Sequence, residues 1–302
     1  MDIARCPLRN SPRSCGNFRS APCWQAKKGF GFHSPGRRTK SLCASRTAKS
    51  AFPLGGAPST HILKPAVERF EGVVFNEALC MRVAAEAGLP TAAVETRSVD
   101  GMDYLLVERY DRIHMPGPDG RQVLERLHQE DFCQAMGIDS DHKYQKEGGP
   151  SLKQCFALLR EVSSAPVIDL ARLLDAAIYN YLVGNNDAHG KNFSLLYQGA
   201  GTETALAPLY DLVSTLHYPE LSPDMAMKLG GEYSSQKVTA KNFEQLAEDA
   251  GLGKPLVRAR VPQMAERVIA ALAKVEFVHP VAERVAGLIR QRSEKLREGR
   301  PT

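Results

Sequence analysis

Apolar residues recur at helical spacing from Leu170 through Leu173, Leu174, Ala177 and Ile178 to Tyr181, which predicts a buried helix over residues 169–183. Asp169 is placed to cap its start and Gly184 to stop it. Phe193 to Tyr197 then reads as a short strand. Between the two lie Asn185, Asn186, Asp187, His189, Lys191 and Asn192, a concentration of polar side chains on a tight loop held by two packed elements. Loops fixed by a rigid scaffold commonly carry chemistry.

The same periodicities predict the remaining elements. Thr60 to Leu63 is a short β-run, followed at once by Lys64. Phe75, Leu79 and Val83 space an amphipathic helix that stops at Gly88, with Pro90 beyond it. Residues 91–99 and 102–108 are apolar or alternating around Asp100-Gly101, a hairpin signal. Residues 114–121 are rich in Pro and Gly and read as a turn that crosses between two lobes. Helices are expected over 124–136 and 152–162, separated by the KYQKEGG loop, and from Met225 onward, with NFEQLAEDAGL and VAERVAGLIRQRSEKL the clearest. The former superficially resembles a helix-turn-helix, but a packed helical lobe is the simpler account. His128, His142 and Lys143 are either substrate-facing or merely solvated.

The loop suggests a particular chemistry. Asp187 and Asn192 stand at the Asp-x-x-x-x-Asn spacing of a kinase catalytic loop, with Lys191 between them. In such a loop the Asp accepts the proton of a substrate hydroxyl and the Asn oxygen holds Mg²⁺, while a nearby Lys offsets charge on the transferred group. A second carboxylate for the metal is available in Asp211, which follows a Gly-rich hairpin turn over residues 198–202. Two carboxylates and an amide oxygen are hard ligands suited to Mg²⁺.

The run GNNDAHGKNFSLLY, followed by APLYDLVSTLHY and MAMKLGG, closely resembles the HipA-type serine/threonine kinases, the toxin components of bacterial HipA/HipB toxin–antitoxin pairs. PSTHILKP, LLVERYDR, RLHQEDFCQAMG and KYQKEGGPS agree with it in the family's order, from about Phe52 to the C-terminus. The resemblance implies an α+β, two-lobed protein-kinase-like fold, with a small mixed N-lobe and hinge over 51–121 and a large helical C-lobe over 122–302. It implies ATP and Mg²⁺ as cofactors, Asp187 as base, Asn192 and Asp211 as metal ligands, and Lys64 as the ATP lysine. His189 and Lys191 would stand near the γ-phosphate, and Tyr210 beside Asp211 joins the nucleotide set. Glu108, Arg109 and Tyr110 resemble the segment whose backbone binds adenine, with Tyr110 on the base and Asp111 near the ribose. A surface pair of Asp111 with Arg112 is the bland alternative. Glu77 is either the helix partner of Lys64 or a solvated glutamate. The implied substrate is a protein of the translation apparatus such as an aminoacyl-tRNA synthetase. The implied partner is a HipB-like antitoxin through which DNA is contacted indirectly, all in the cytoplasm.

Composition modifies this picture chiefly at the N-terminus. The 302 residues carry a net charge of +5, yet residues 1–50 hold 11 Lys/Arg against the single acid Asp2. The basic character therefore belongs to the first 50 residues, and is poor evidence that the body binds nucleic acid. Those residues lack periodicity and are expected to be a disordered basic tail, a wrong start or frameshifted translation in place of family sequence. GFGF at 29–32 is only a weak match to a phosphate loop. On that reading only Pro53 to Pro58, with Gly55 and Gly56, lies between the tail and Ser59, so the small lobe lacks its first strands and the loop that covers the β- and γ-phosphates, exposes an unpaired sheet edge and is catalytically impaired. Cys6, Cys15, Cys23 and Cys43 match no zinc spacing, and Cys80, Cys133 and Cys155 read as buried hydrophobes in helices. No apolar run is long enough for a membrane span. Two further functions stay open: a metal-dependent hydrolase using Asp187, His189 and Asp211, and a nucleotide-binding co-repressor without transfer activity.

Overall fold

The computed structural model describes residues 58–300 together with the backbone strands β1 (Ile3–Arg5), β2 (Ser41–Arg46) and β3 (Lys49–Pro53). A two-residue turn at Asp100 and Gly101 joins β5 (Val94–Val99) to β6 (Met102–Glu108), with Val99 opposite Met102, as the Asp-Gly signal predicts. On the other side of β6 runs β4 (His61–Pro65), and the antiparallel sheet has the order β1-β3-β2-β4-β6-β5. Lys64 lies within β4, not beyond its end.

This sheet corrects two expectations about the N-terminus. β4 is an interior strand, paired with β2 on one side and β6 on the other, so the anticipated unpaired edge is covered. Residues 41–46 and 49–53, assigned to the disordered tail or its boundary, supply that cover. The physical reason is that the unpaired N–H and C=O groups of β4 bond any extended segment at hand, which periodicity alone does not reveal. The GFGF segment, the Gly55-Gly56 pair and the rest of the expected tail lie outside the described residues.

Helix α1 (Val73–Glu86) lies behind the sheet and buries Val74, Leu79, Met81 and Val83. Its other side is covered by α6 (Lys254–Leu272) and α7 (Pro280–Arg297) of the larger lobe, so α1 joins both halves of one core. The centre of the larger lobe is α4 (Pro166–Val183), where Leu173, Leu174, Ile178 and Leu182 are fully buried. Around it pack α3 (Leu152–Val162), α6 and α7, and α5 (Ala240–Ala250) packs on α3 and α6. α3 has the predicted bounds. α4 begins earlier than Asp169, because Pro166 takes the first helical position. Asp169 is instead buried, accepting from Ser163 Oγ at 2.7 Å and from the Leu206 N–H at 2.9 Å.

Three segments differ from their predicted form. The lobe crossover at 114–121 is part of a hairpin, β7 (Arg112–Pro116) with β8 (Gln122–Arg126). The helix expected over 124–136 is β8, then β9 (His128–Asp131), then the single turn α2 (Phe132–Ala135). Only Phe132 and Cys133 in that stretch are buried, and the polar residues before them satisfy their backbone by pairing with β7 and with β10 (Ser194–Gln198). β10 continues through the Gly-rich turn into β11 (Glu203–Leu206), as expected. After Met225 the chain first forms β12 (Asp224–Leu229) and β13 (Glu232–Ser234), and only then the predicted helices. Cys80, Cys133 and Cys155 are buried free thiols, as anticipated.

Candidate active site

α4 ends where Gly184 turns left-handed at φ +69°, and a Cβ there would meet Leu216 Cδ1 at 2.7 Å. The loop beyond it divides its polar residues between two tasks. Asn185 and Asn186 are buried and hold the loop's shape: Asn185 Nδ2 donates to Asn180 Oδ1 at 2.8 Å, and Asn186 Nδ2 to the Pro223 carbonyl at 2.9 Å. Asp187, His189, Lys191 and Asn192 face a cleft of about 1020 Å³ between the sheet and the helical lobe. Asn192 closes the turn by accepting the His189 N–H on Oδ1 at 3.1 Å.

Lys64, Glu77 and Asp211 enter the same cleft from β4, α1 and the segment after β11. The Lys64 ammonium is buried and donates to both Glu77 Oε1 and Asp211 Oδ1. Burial opposes the Lys64 charge, but the facing carboxylates of Asp211 and Glu77 outweigh it and raise its pKa above the ordinary lysine value. Asp211 sits at φ 55°, a left-handed backbone that few residues other than glycine, asparagine and aspartate adopt. Of the two readings of Glu77, the structure therefore places it on Lys64.

His189 is buried, and burial lowers its pKa to about 4 despite the nearby Asp187 carboxylate; Lys143 acts in the same direction as burial. It is a neutral imidazole at pH 7, with Lys143 Nζ 2.8 Å from its Nε2. Tyr144 donates its phenolic O–H to Asp187 Oδ1 at 2.7 Å. Tyr144 was missed as a site residue, although the KYQKEGG run that contains it is part of the family pattern. His142 is exposed and His128 stacks on Tyr197 at 5.1 Å; neither lines the cleft. Tyr210 lines it, its hydroxyl donating to the Lys191 carbonyl at 2.9 Å and lying 2.5 Å from Ser194 Oγ.

The segment expected at the nucleotide base is arranged differently from the sequence reading. The N–H groups of Glu108 and Arg109 are bonded to the carbonyls of Ala93 and Thr60, at 2.8 and 2.9 Å, so they are not available to a base. Asp111 is buried between Arg109, which bonds both carboxylate oxygens at 2.9 and 2.6 Å, and Arg112 at 2.8 Å. Burial pulls its pKa upward, but the two guanidiniums win and hold it below the usual carboxylate value. Asp111 does pair with Arg112, and with Arg109 as well, but the pair is buried and not on the surface, because a buried carboxylate is retained only where cations meet it. Tyr110 stacks on Tyr210 at 6.0 Å between ring centroids, which links this segment to the cleft without lining it.

In chemical terms the cleft is lined by a buried, charge-fixed lysine, a half-exposed carboxylate at Asp187, and the amide and carboxylate oxygens of Asn192 and Asp211. Asn192 and Asp211 are hard donors that fit a hydrated Mg²⁺ completed by phosphate oxygens. Among the described residues no group of three or more His, Cys, Asp and Glu is arranged to hold a metal ion.

Comparison with known proteins shows the family. The Y4mE kinase homologue of Sinorhizobium fredii is 46% identical over 254 residues, covering 84% of this chain and 59% of that protein. The serine/threonine-protein kinase toxin HipA of Shewanella oneidensis is 32% identical over 241 residues, covering 76% of this chain and 54% of that protein. The chain thus spans somewhat over half the length of these relatives. In fold it matches the HipA chain of a Shewanella oneidensis HipA, HipB and operator DNA complex, with TM-score 0.82, 24% identity and coverage of 99% of this chain and 74% of that one. The Helicobacter pylori proinflammatory kinase CtkA matches with TM-score 0.56 at 14% identity, over 90% of this chain and 93% of that one. The profile of the HipA-like C-terminal domain matches residues 32–274, so family sequence begins well before Phe52 and includes part of the stretch read as an aberrant tail. The chain belongs to the HipA-like C-terminal domain family.

Proposed function

We propose that this chain is an ATP- and Mg²⁺-dependent serine/threonine protein kinase of the HipA type. The observation that carries the proposal is the convergence of Lys64, Glu77 and Asp211, from three distant elements, on the cleft that also holds Asp187 and Asn192. Lys64 binds the nucleotide phosphates, and Glu77 fixes its position. Asn192 and Asp211 hold Mg²⁺, which when bound supplies charge neutralisation to the phosphate oxygens. Asp187, half exposed at the cleft, accepts the proton of the acceptor hydroxyl. Lys191 offsets charge on the transferred group, and neutral His189 shapes the floor beside it. Tyr210 supports Lys191 through its carbonyl. Glu108, Arg109, Tyr110 and Asp111 back the nucleotide side of the cleft through the packing of Tyr110 on Tyr210, which lines it.

The acceptor is a protein of the translation machinery such as an aminoacyl-tRNA synthetase, and a small HipB-like antitoxin binds the kinase and carries it to operator DNA. The solved complex of the Shewanella HipA relative with HipB and DNA supports this partner class. A cytoplasmic location accords with such a role; no helix among the described residues is long and apolar enough to cross a membrane. Of the two sequence-based reasons for an impaired enzyme, the uncovered edge has no counterpart in the sheet, and the missing phosphate-covering loop falls outside the described residues. Transfer of ³²P from γ-labelled ATP to protein, with and without Mg²⁺, tests the proposal. Metal-dependent labelling supports it. Nucleotide binding with no transfer to any acceptor in a lysate of the host would replace it by the co-repressor reading.

A further inference from the structure

The loop between α2 and α3 lines the cleft and touches the catalytic loop at two points. Lys143 Nζ lies 2.8 Å from His189 Nε2, and the Tyr144 phenol donates to Asp187 Oδ1 at 2.7 Å. Consecutive residues of one loop thus hold alternate residues of another. The ring of Tyr144 meets that of His189 edge-on, with centroids 5.5 Å apart, and the Lys143 ammonium lies 4.7 Å from the Tyr144 centroid. The two loops are held together by packing as well as by hydrogen bonds.

The holding loop is itself closed on a tight pattern. The Tyr144 carbonyl accepts the N–H groups of Glu147 and Gly149, both at 2.9 Å. A Cβ on Gly149 would stand 2.6 Å from the Lys143 carbonyl carbon and 2.7 Å from the His142 oxygen, so only glycine allows this close return. Further along, Gln145 accepts the Lys228 N–H at 2.8 Å, tying the loop to β12. Tyr144 is therefore presented by a braced turn.

Among the described residues Tyr144 is the side-chain donor to the Asp187 carboxylate, and it takes one oxygen only. The second oxygen, Oδ2, lies 4.0 Å from His189 Nε2 on a side chain that is 48% exposed. We infer that Tyr144 is a positioning residue for phosphotransfer: it pins Oδ1 of Asp187 so that Oδ2 faces the acceptor hydroxyl. In the reaction the acceptor O–H proton passes to Oδ2 while its oxygen bonds to the γ-phosphorus and the bond from phosphorus to the β-bridging oxygen breaks, leaving ADP. The Tyr144 hydrogen bond to Oδ1 is kept throughout. The inference rests on the assignment of Asp187 as proton acceptor.

Tyr144→Phe tests it, because the ring contacts with His189 and Lys143 persist and only the hydroxyl is lost. With γ-labelled ATP, Mg²⁺ and dephosphorylated casein as acceptor, kcat is expected to fall about tenfold to a hundredfold, the scale of a misplaced catalytic group. KM for ATP should stay within about twofold, since the nucleotide side of the cleft does not involve Tyr144. Amide hydrogen exchange over residues 185–189 should quicken while the melting temperature is unchanged. Wild-type turnover or unaltered exchange in Tyr144→Phe overturns the inference, as does a slower rate matched by equal losses of nucleotide affinity and thermal stability. If casein is not phosphorylated even by the wild type, the exchange result decides alone. Asp187→Asn separates the two levels: transfer at the wild-type rate by that variant removes the base assignment, whereas an inactive Asp187→Asn beside a fully active Tyr144→Phe removes only the role of Tyr144.

Discussion

Asn76 exchanges two hydrogen bonds with the backbone of Ser214, donating from Nδ2 to its carbonyl at 3.0 Å and accepting its N–H on Oδ1 at 2.9 Å. A side-chain amide here stands in for a backbone partner, and it joins α1 to the segment that carries Asp211. Because Glu77 is the next residue on α1, this contact sets where Glu77 and Asp211 meet Lys64.

Asn76→Ala is expected to leave both Ser214 groups buried without these partners, at a cost of about 2–4 kcal/mol. Urea unfolding measures it. Nucleotide affinity should fall with stability, since the Glu77 and Asp211 carboxylates lose their common brace. An unfolding midpoint equal to that of the wild type would show that Ser214 is satisfied in some other way.

Asp187→Asn should abolish phosphotransfer and leave nucleotide binding and the melting temperature intact. The residue is half exposed, so the change creates no cavity, while loss of a general base typically lowers the rate about 10²-fold or more. Single-turnover transfer is the measurement, and undiminished transfer excludes Asp187 from the role.

Asp211→Ala should weaken Mg²⁺-dependent ATP binding by removing a carboxylate from the metal side of the cleft. A Mg²⁺ titration of ATP affinity checks this. Identical titrations for variant and wild type would argue against the whole metal assignment.

Lys64→Met should lower stability as well as activity. Glu77 is only 4% exposed, and removing the ammonium that faces it typically costs about 3–5 kcal/mol. Lys64→Met combined with Glu77→Leu should recover most of that stability and none of the activity. If the double variant is no more stable than the single one, the buried pair is not the source of the loss.

His189 makes the fold acid-sensitive. Its folded pKa of about 4 lies below the ordinary value of 6.5, so the unfolded chain binds the proton more readily between these limits. The contribution is complete above pH 6.5 and is lost as pH falls toward about 4. Asp187 and Lys143 face the ring, and His189→Gln keeps a polar group of similar reach among them. Plotted against pH, stability of His189→Gln should fall less steeply from 6.5 to 4 than that of the wild type; parallel curves would assign the acid sensitivity elsewhere.

What the sequence by itself determined about this protein was local. Periodicity in Leu173, Leu174 and Ile178 announced α4, Gly184 announced its end, and Asp100-Gly101 announced the β5–β6 turn, because each depends on residues a few positions apart. The spacing of Asp187 and Asn192, and the family pattern around Lys64 and Asp211, selected the residues that line the cleft. Short polar stretches misled: QVLER and HQED have no strong period, and only their pairing with β7 and β10 made them strands. The tertiary structure decided which charges meet. Lys64 contacts Asp211 across 147 positions, Tyr144 contacts Asp187 across 43, and Asp111 turns to Arg109 and Arg112. Such contacts are closed by the packing of α1 between sheet and helices and by the cost of burying a carboxylate away from a cation. That cost depends on the surroundings of the folded chain, which no local pattern of residues encodes.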